Sequence, residues 1–195
     1  MKKRLVLILS ISAAGVVVLV VAVLIYNLQV REMAEKSISI PLISTPISSF
    51  PLKNEINGLK LETTISLLEN NDFICSDKPE VYRDLYYRLS CEQKSPDYDM
   101  TIHIFTSDQQ NIILIFTQFS QLKTPSNDQA VNFLGFIAHL PIAGMDAAPL
   151  KDWITSTLPA LDQHPGLVVN KTLDGLKLSL YGPPNSRSLE IIENN

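Results

Sequence analysis

From Leu5 to Tyr26 the chain runs through 22 residues without a single charge. As a helix such a run rises about 33 Å, enough to cross the roughly 30 Å hydrocarbon core of a bilayer. Lys2, Lys3 and Arg4 stand immediately before it, and a basic flank stays on the cytoplasmic side. The expectation is a single-pass signal-anchor in the cell membrane: residues 1–4 a cytoplasmic tail, 5–26 the span, and everything beyond on the outside. Ser12, Ala13 and Ala14 could mimic a signal-peptide cleavage site. Cutting there would leave Val16 to Ile25 in water, at about 25 cal/mol for each Å² of apolar surface exposed. A lipidated cysteine is not available, since the first cysteine is Cys75. The run is also rich in β-branched residues, which lipid forces into helix because the backbone must satisfy its own hydrogen bonds.

Residues 27–54 read as a Ser/Pro-rich stalk or linker. Pro41, Pro46 and Pro51 are evenly spaced with serines between them, which holds a chain semi-extended. Its Ile43, Ile47, Phe50 and Leu52 are too apolar for a freely solvated tether, so part of it should lie on the domain or on the membrane. Residues 55–195 are then enough for one domain with a core. From Ser37 onward eleven Lys and Arg face eighteen Asp and Glu, a balance of −7. That acidity argues against nucleic acid and anionic lipid as partners and in favour of solubility.

Within the domain, Leu61, Ile65 and Leu68 have the spacing of a one-sided helix, which Asn70 and Asn71 should stop, Asn71 taking the left-handed cap position usually filled by glycine. Val81 to Cys91 alternates as one strand, with Val81, Leu85, Leu89 and Cys91 on a core parity and Tyr82, Tyr86 and Arg88 on a wetter one. Met100 to Phe105 is a second strand. Ile112 to Phe116 is apolar at both parities, which predicts a central strand covered on both faces. Ser126 with Gln129 forms a capping box for a helix to about Leu140, and Asp146 caps another that Pro159 should begin to close. Asp174-Gly175 between apolar runs is a hairpin turn, and Leu189 to Ile192 is the last strand. Helices and strands are segregated, which favours an α+β two-layer domain: an antiparallel sheet of about six strands with about three helices on one face.

Cys75 and Cys91 are expected to pair if the domain lies in an oxidising compartment. Two cysteines at this spacing offer neither a C-x-x-C redox motif nor a zinc site. His103 has no second histidine at metal-ligand spacing, and Asp97 with Asp99 lacks the calcium-loop progression. No nucleophile elbow or phosphate-binding glycine loop occurs in the sequence. The expectation is therefore no metal, no cofactor and no locally encoded catalytic site. The wetter strand face, with Tyr82, Tyr86, Arg88, His103 and Phe105, is the candidate contact surface, since tyrosine and arginine suit interfaces.

The leading functional expectation is a membrane-anchored extracytoplasmic binding or assembly module without catalytic activity. Its partners would be the bilayer, through Leu5 to Tyr26, and an envelope protein. One alternative is an envelope enzyme assembled in space around His103 with Asp84. The other is a structural subunit: an N-terminal apolar helix, an α/β head and a cysteine pair together resemble the pilin-like class. The resemblance stops at the leader, where Arg4 leads directly into Leu5 and no acidic residue enters the run.

Overall fold

The computed structural model describes residues 48, 52, 54–121, 126–142 and 146–194. All belong to a compact unit spanning Ile43–Asn195. The expected tail, the anchor over 5–26 and most of the linker lie outside the described residues. Among the described residues no helix is long and apolar enough to cross a membrane.

The elements follow in the order α1 (Leu61–Glu69), β1 (Ile74–Cys75), β2 (Glu80–Tyr82), β3 (Tyr86–Lys94), β4 (Tyr98–Thr106), β5 (Ile112–Gln121), α2 (Asn127–Phe136), α3 (Ala147–Gln163), β6 (Val168–Leu173), β7 (Leu176–Tyr181) and β8 (Ser186–Glu193). A short 3-10 turn, Ile137–His139, extends α2. The strands form one eight-stranded sheet in the order β1-β3-β4-β5-β8-β7-β6, with β2 also pairing β3. Every pairing is antiparallel. The α+β expectation therefore stands, with eight strands in place of about six.

One face of the sheet carries the helices. Leu89, Ile102, Ile104, Leu180 and Ile191 pack there with Leu68 of α1, Leu134 of α2 and Leu150, Ile154 and Leu158 of α3 in a single apolar cluster. Strand β5 sits near the middle of the sheet, and all its residues except Ser120 are buried, as its apolar sequence at both parities demands. Each half of the chain ends in a three-stranded meander, and the two last strands, β5 and β8, pair with each other where the halves meet.

The caps follow the sequence closely. Ser126 accepts from the Gln129 amide and Asp146 from the Ala148 amide. Gln121, at the end of β5, completes the first cap by taking the Ser126 amide and donating to its carbonyl. At the β6–β7 turn Asp174 and Gly175 both hold positive φ, 50° and 82°, as a primed hairpin turn requires. Gly182 turns β7 into β8 with φ +104°, and a Cβ there would stand 2.1 Å from the Ser186 carbonyl oxygen.

Three local expectations are corrected. Val81 to Cys91 is a hairpin rather than one strand: Arg83 and Asp84 take positive φ, 51° and 59°, and turn β2 back onto β3. Asp84 is a common turn residue that tolerates the left-handed region, but Arg83 is not and no glycine follows, so the turn signal is weak; Val81 and Leu85 end up 67% and 69% exposed. Pro159 lies inside α3, which continues to Gln163 because Leu158 and Leu161 extend its buried stripe. After α1 the left-handed residue is Asp72 (φ 64°), while the Asn71 side chain donates to the Leu67 carbonyl.

Candidate functional site

On the face opposite the helices, cross-strand register places Ser90, His103, Phe116, Glu190, Ser179 and Asn170 in one row running from β3 to β6. Phe116 of this row joins Tyr86, Phe105, Leu114 and Tyr181 in a second apolar cluster, against which Tyr82, Ile192 and Leu52 pack. The parity separating this face from the helical core is the one expected, but the face is closed. Tyr86 is 5% and Phe105 1% exposed. The expectation of a solvated surface fails because linker residues reach it: Leu52 packs on the cluster and Ser48 bonds Glu190. Tyr82 lies edge-on to Phe105 with ring centroids 5.0 Å apart, and the Arg83 and Arg88 guanidinium groups stand 5.3 and 5.8 Å from its ring centroid. Arg88 also pairs with Glu80 at 2.9 Å.

His103 stacks on Phe116 with centroids 5.7 Å apart, and its Nδ1 lies 2.8 Å from the Ser90 hydroxyl. Burial, and secondarily the positive charge of Arg88, lower its pKa to about 4, with Glu92 and Glu80 opposing weakly. The ring is neutral at pH 7. Asp84, its suggested acid–base partner, sits in the β2–β3 turn, whereas His103 faces Ser90; six residues of strand put them roughly 20 Å apart. The geometry does not bring them together. Because the folded pKa lies below the unfolded value, the unfolded chain binds the proton more readily between about pH 6.5 and 4, and stability falls as pH drops through that window. From pH 7 to pH 5 the loss assignable to His103 should be roughly 2 kcal/mol. Urea titrations at the two pH values should show that loss in the parent and a smaller one in His103→Gln; equal losses would contradict the assignment.

A different concavity is open. Between the α1–β1 turn, the adjoining ends of β3, β4 and β5, and helix α2 lies a cavity of about 370 Å³. Phe73, Tyr98, Met100, Phe119, Phe133 and Phe136 line it, with Asn71, Gln93, Gln129 and Asn132 supplying carboxamides. Its aromatic wall is continuous: Phe73 stacks on Phe133 at 6.3 Å and on Phe136 at 5.9 Å, and Phe119 contacts Phe133 and Tyr98 at 5.8 Å. Asn71, Gln129 and Asn132 are exposed. No carboxylate, histidine or basic group is among the lining residues. Such a cavity can hold an apolar or aromatic group and meet neutral polar atoms with both donors and acceptors.

Sequence reasoning missed this cavity because its walls come from separate segments. The signal present was the pair Phe133 and Phe136 on one side of α2, with Phe73 after α1. Cys75 and Cys91 are disulfide-bonded, joining β1 to β3 as direct register partners two residues beyond Phe73. Among the described residues no group of three or more His, Cys, Asp or Glu could hold a metal ion. Comparison with protein-family models, curated proteins and solved structures returns no match.

Proposed function

We propose that the protein is a membrane-anchored, extracytoplasmic binding or assembly module without catalytic activity. The observation that carries the reading is the aromatic cavity, which offers a ring-lined pocket, carboxamides and the Tyr98 hydroxyl but no carboxylate, histidine, cysteine or basic group among its lining residues. That composition suits capture rather than bond-making chemistry. The anchor rests on the uncharged run from Leu5 to Tyr26 and its basic flank. An extracytoplasmic location also agrees with the Cys75–Cys91 bond, since disulfides persist in oxidising compartments. An envelope protein offering an aromatic or aliphatic side chain is the partner that these features suit.

Asn132→Trp tests the reading, because Asn132 is exposed on α2 and lines the cavity, so a large side chain there obstructs it without emptying the core. Full-length protein purified in mild detergent should carry a defined envelope partner, with recovery falling at least about tenfold in the variant, as loss of an anchoring contact implies. The melting temperature should not change. Undiminished recovery would move the contact elsewhere, and turnover of an envelope substrate by the isolated protein would overturn the non-catalytic assignment.

A further inference from the structure

We infer that the aromatic cavity continues into a basic groove, and that the two together take an extended acidic peptide. One apolar side chain enters the cavity, and a carboxylate close by on the same peptide meets Lys151 and His139. The inference rests on the reading of the cavity as a capture site and adds the charge and form of what is captured.

Beyond Asn132 and Phe136 lies a second hollow of about 450 Å³, between the end of α2 and the first turns of α3. Asn132 and Phe136 line both hollows, so the two adjoin along one side of α2, where residues four apart in sequence are neighbours. The chemistry changes across that boundary. Rings and carboxamides line the first hollow, whereas the second has His139 and Lys151, both exposed, and no carboxylate among its lining residues. Phe136 stands between them: its ring stacks on Phe73 at 5.9 Å and lies 6.3 Å from the His139 ring.

Gly135 accounts for the placement of Lys151. It is buried on α2, and a Cβ built on it would stand 3.7 Å from Cγ and 3.8 Å from Cβ of Lys151. Those are ordinary contact distances, so the methylene stem of Lys151 lies against α2 while its ammonium stays at the water-facing end. Among the described residues that ammonium has no hydrogen-bond or ion-pair partner. The neighbouring acids of α3 do not neutralise it: Asp146 caps the helix through the Ala148 amide, and Asp152, the next residue, projects about 100° further round the helix. From Ser37 onward the charge balance is −7. A cation without a partner, beside an imidazole and next to an apolar cavity, therefore favours an anionic ligand at this one place on an acidic domain.

The carboxamides point to a peptide. Asn71, Gln93, Gln129 and Asn132 offer both N–H donors and C=O acceptors around the cavity, which a peptide backbone uses and the hydrocarbon chain of a fatty acid does not. With 6.3 Å between the rings of Phe136 and His139, and an extended chain advancing about 3.3 Å per residue, the acid belongs about two residues from the apolar anchor.

Fluorescence anisotropy with the full-length protein in a nonionic detergent tests this, using fluorescein-labelled, C-terminally amidated Ser-Gly-Phe-Gly-Asp-Ser as the probe. In low-salt buffer it should bind about fivefold more tightly than the same peptide with Asn in place of Asp, the upper end for a partly exposed ion pair. Lys151→Met keeps the stem against Gly135 and should abolish that preference, while both peptides still outbind versions with Ala in place of Phe. Equal binding of the Asp and Asn peptides by the parent, with Phe still preferred over Ala, would overturn the basic groove and leave the cavity reading standing. A preference for Asp that survives Lys151→Met would overturn the role of Lys151. No discrimination between Phe and Ala would remove the cavity reading and this inference with it. Competition by 3-phenylpropionate as strong as that of the unlabelled peptide would overturn the peptide in favour of a small amphiphile.

Discussion

Replacing Asp162 by alanine should destabilise the domain by about 3 kcal/mol, the loss expected when one partner of a buried ion pair is removed. Arg187 on β8 is fully buried; its guanidinium donates to the Gly182 carbonyl and to Oδ1 of Asp162 near the end of α3. The second oxygen of Asp162 accepts from Asn127 at the start of α2, at 2.9 Å. One carboxylate thus joins β8 to both helices of the second half. Burial lowers the Arg187 pKa, and the charge and hydrogen bond of Asp162 oppose that shift. Without Asp162 the guanidinium stays in the core with no counter-charge. The cost should fall at the lower end of the range for broken buried pairs, because the Asp162 side chain is 35% exposed and water can partly replace it. Asp162→Asn keeps the acceptor and should cost about half as much, while Arg187→Met with Asp162→Asn should recover most of the loss, since no ion is then stranded. Chemical denaturation reads these as shifts in midpoint at constant slope. An Asp162→Ala midpoint equal to the parent's would contradict the assignment.

Removing the disulfide is expected to have an effect of similar size. Cys75 and Cys91 are 16 residues apart, and opening a loop of that length costs roughly 3 kcal/mol in the chain-entropy model. The damage should also be local. Strand β1 has only two residues, Ile74 and Cys75, so the bond is its main attachment to β3. Phe73 precedes it and forms part of the aromatic wall against Phe133 and Phe136. The double variant Cys75→Ala/Cys91→Ala should therefore lose about 3 kcal/mol in oxidising buffer and also show faster hydrogen exchange at Phe73 and Ile74, with β5 and β8 unaffected. A uniform rise in exchange would mean that the bond supports the whole sheet, and no change in midpoint would contradict its structural role.

Periodicity made much of this fold legible. The stripes of α1 and α3, the double-sided apolar pattern of β5, the Ser126 and Asp146 caps and the Asp174-Gly175 turn are local signals, each set by chemistry within a few residues. What stayed illegible depended on tertiary context. The Arg83–Asp84 turn lacks glycine and asparagine and exists because β2 and β3 pair across it. Pro159 stays inside α3 because burial of Leu158 and Leu161 offsets its missing donor. Tyr86 and Phe105 do lie on the face that alternation assigns to them, but alternation reports a side, not what covers it. Glu190 carries no local signal in the sequence, and only the sheet register brings it into the row with His103 and Phe116. The aromatic cavity is assembled from four stretches of chain, so no single window of sequence contains it.

The claim on which the functional reading turns is that the folded domain stands on the oxidising side of a membrane. Its most direct test is the redox state of Cys75 and Cys91 in cells making the full-length protein, with thiols blocked by an alkylating agent before lysis and peptides analysed without reduction. The account predicts a cross-linked peptide joining Cys75 to Cys91 as the dominant species. Two freely alkylated cysteines, in protein that is otherwise folded, would contradict it.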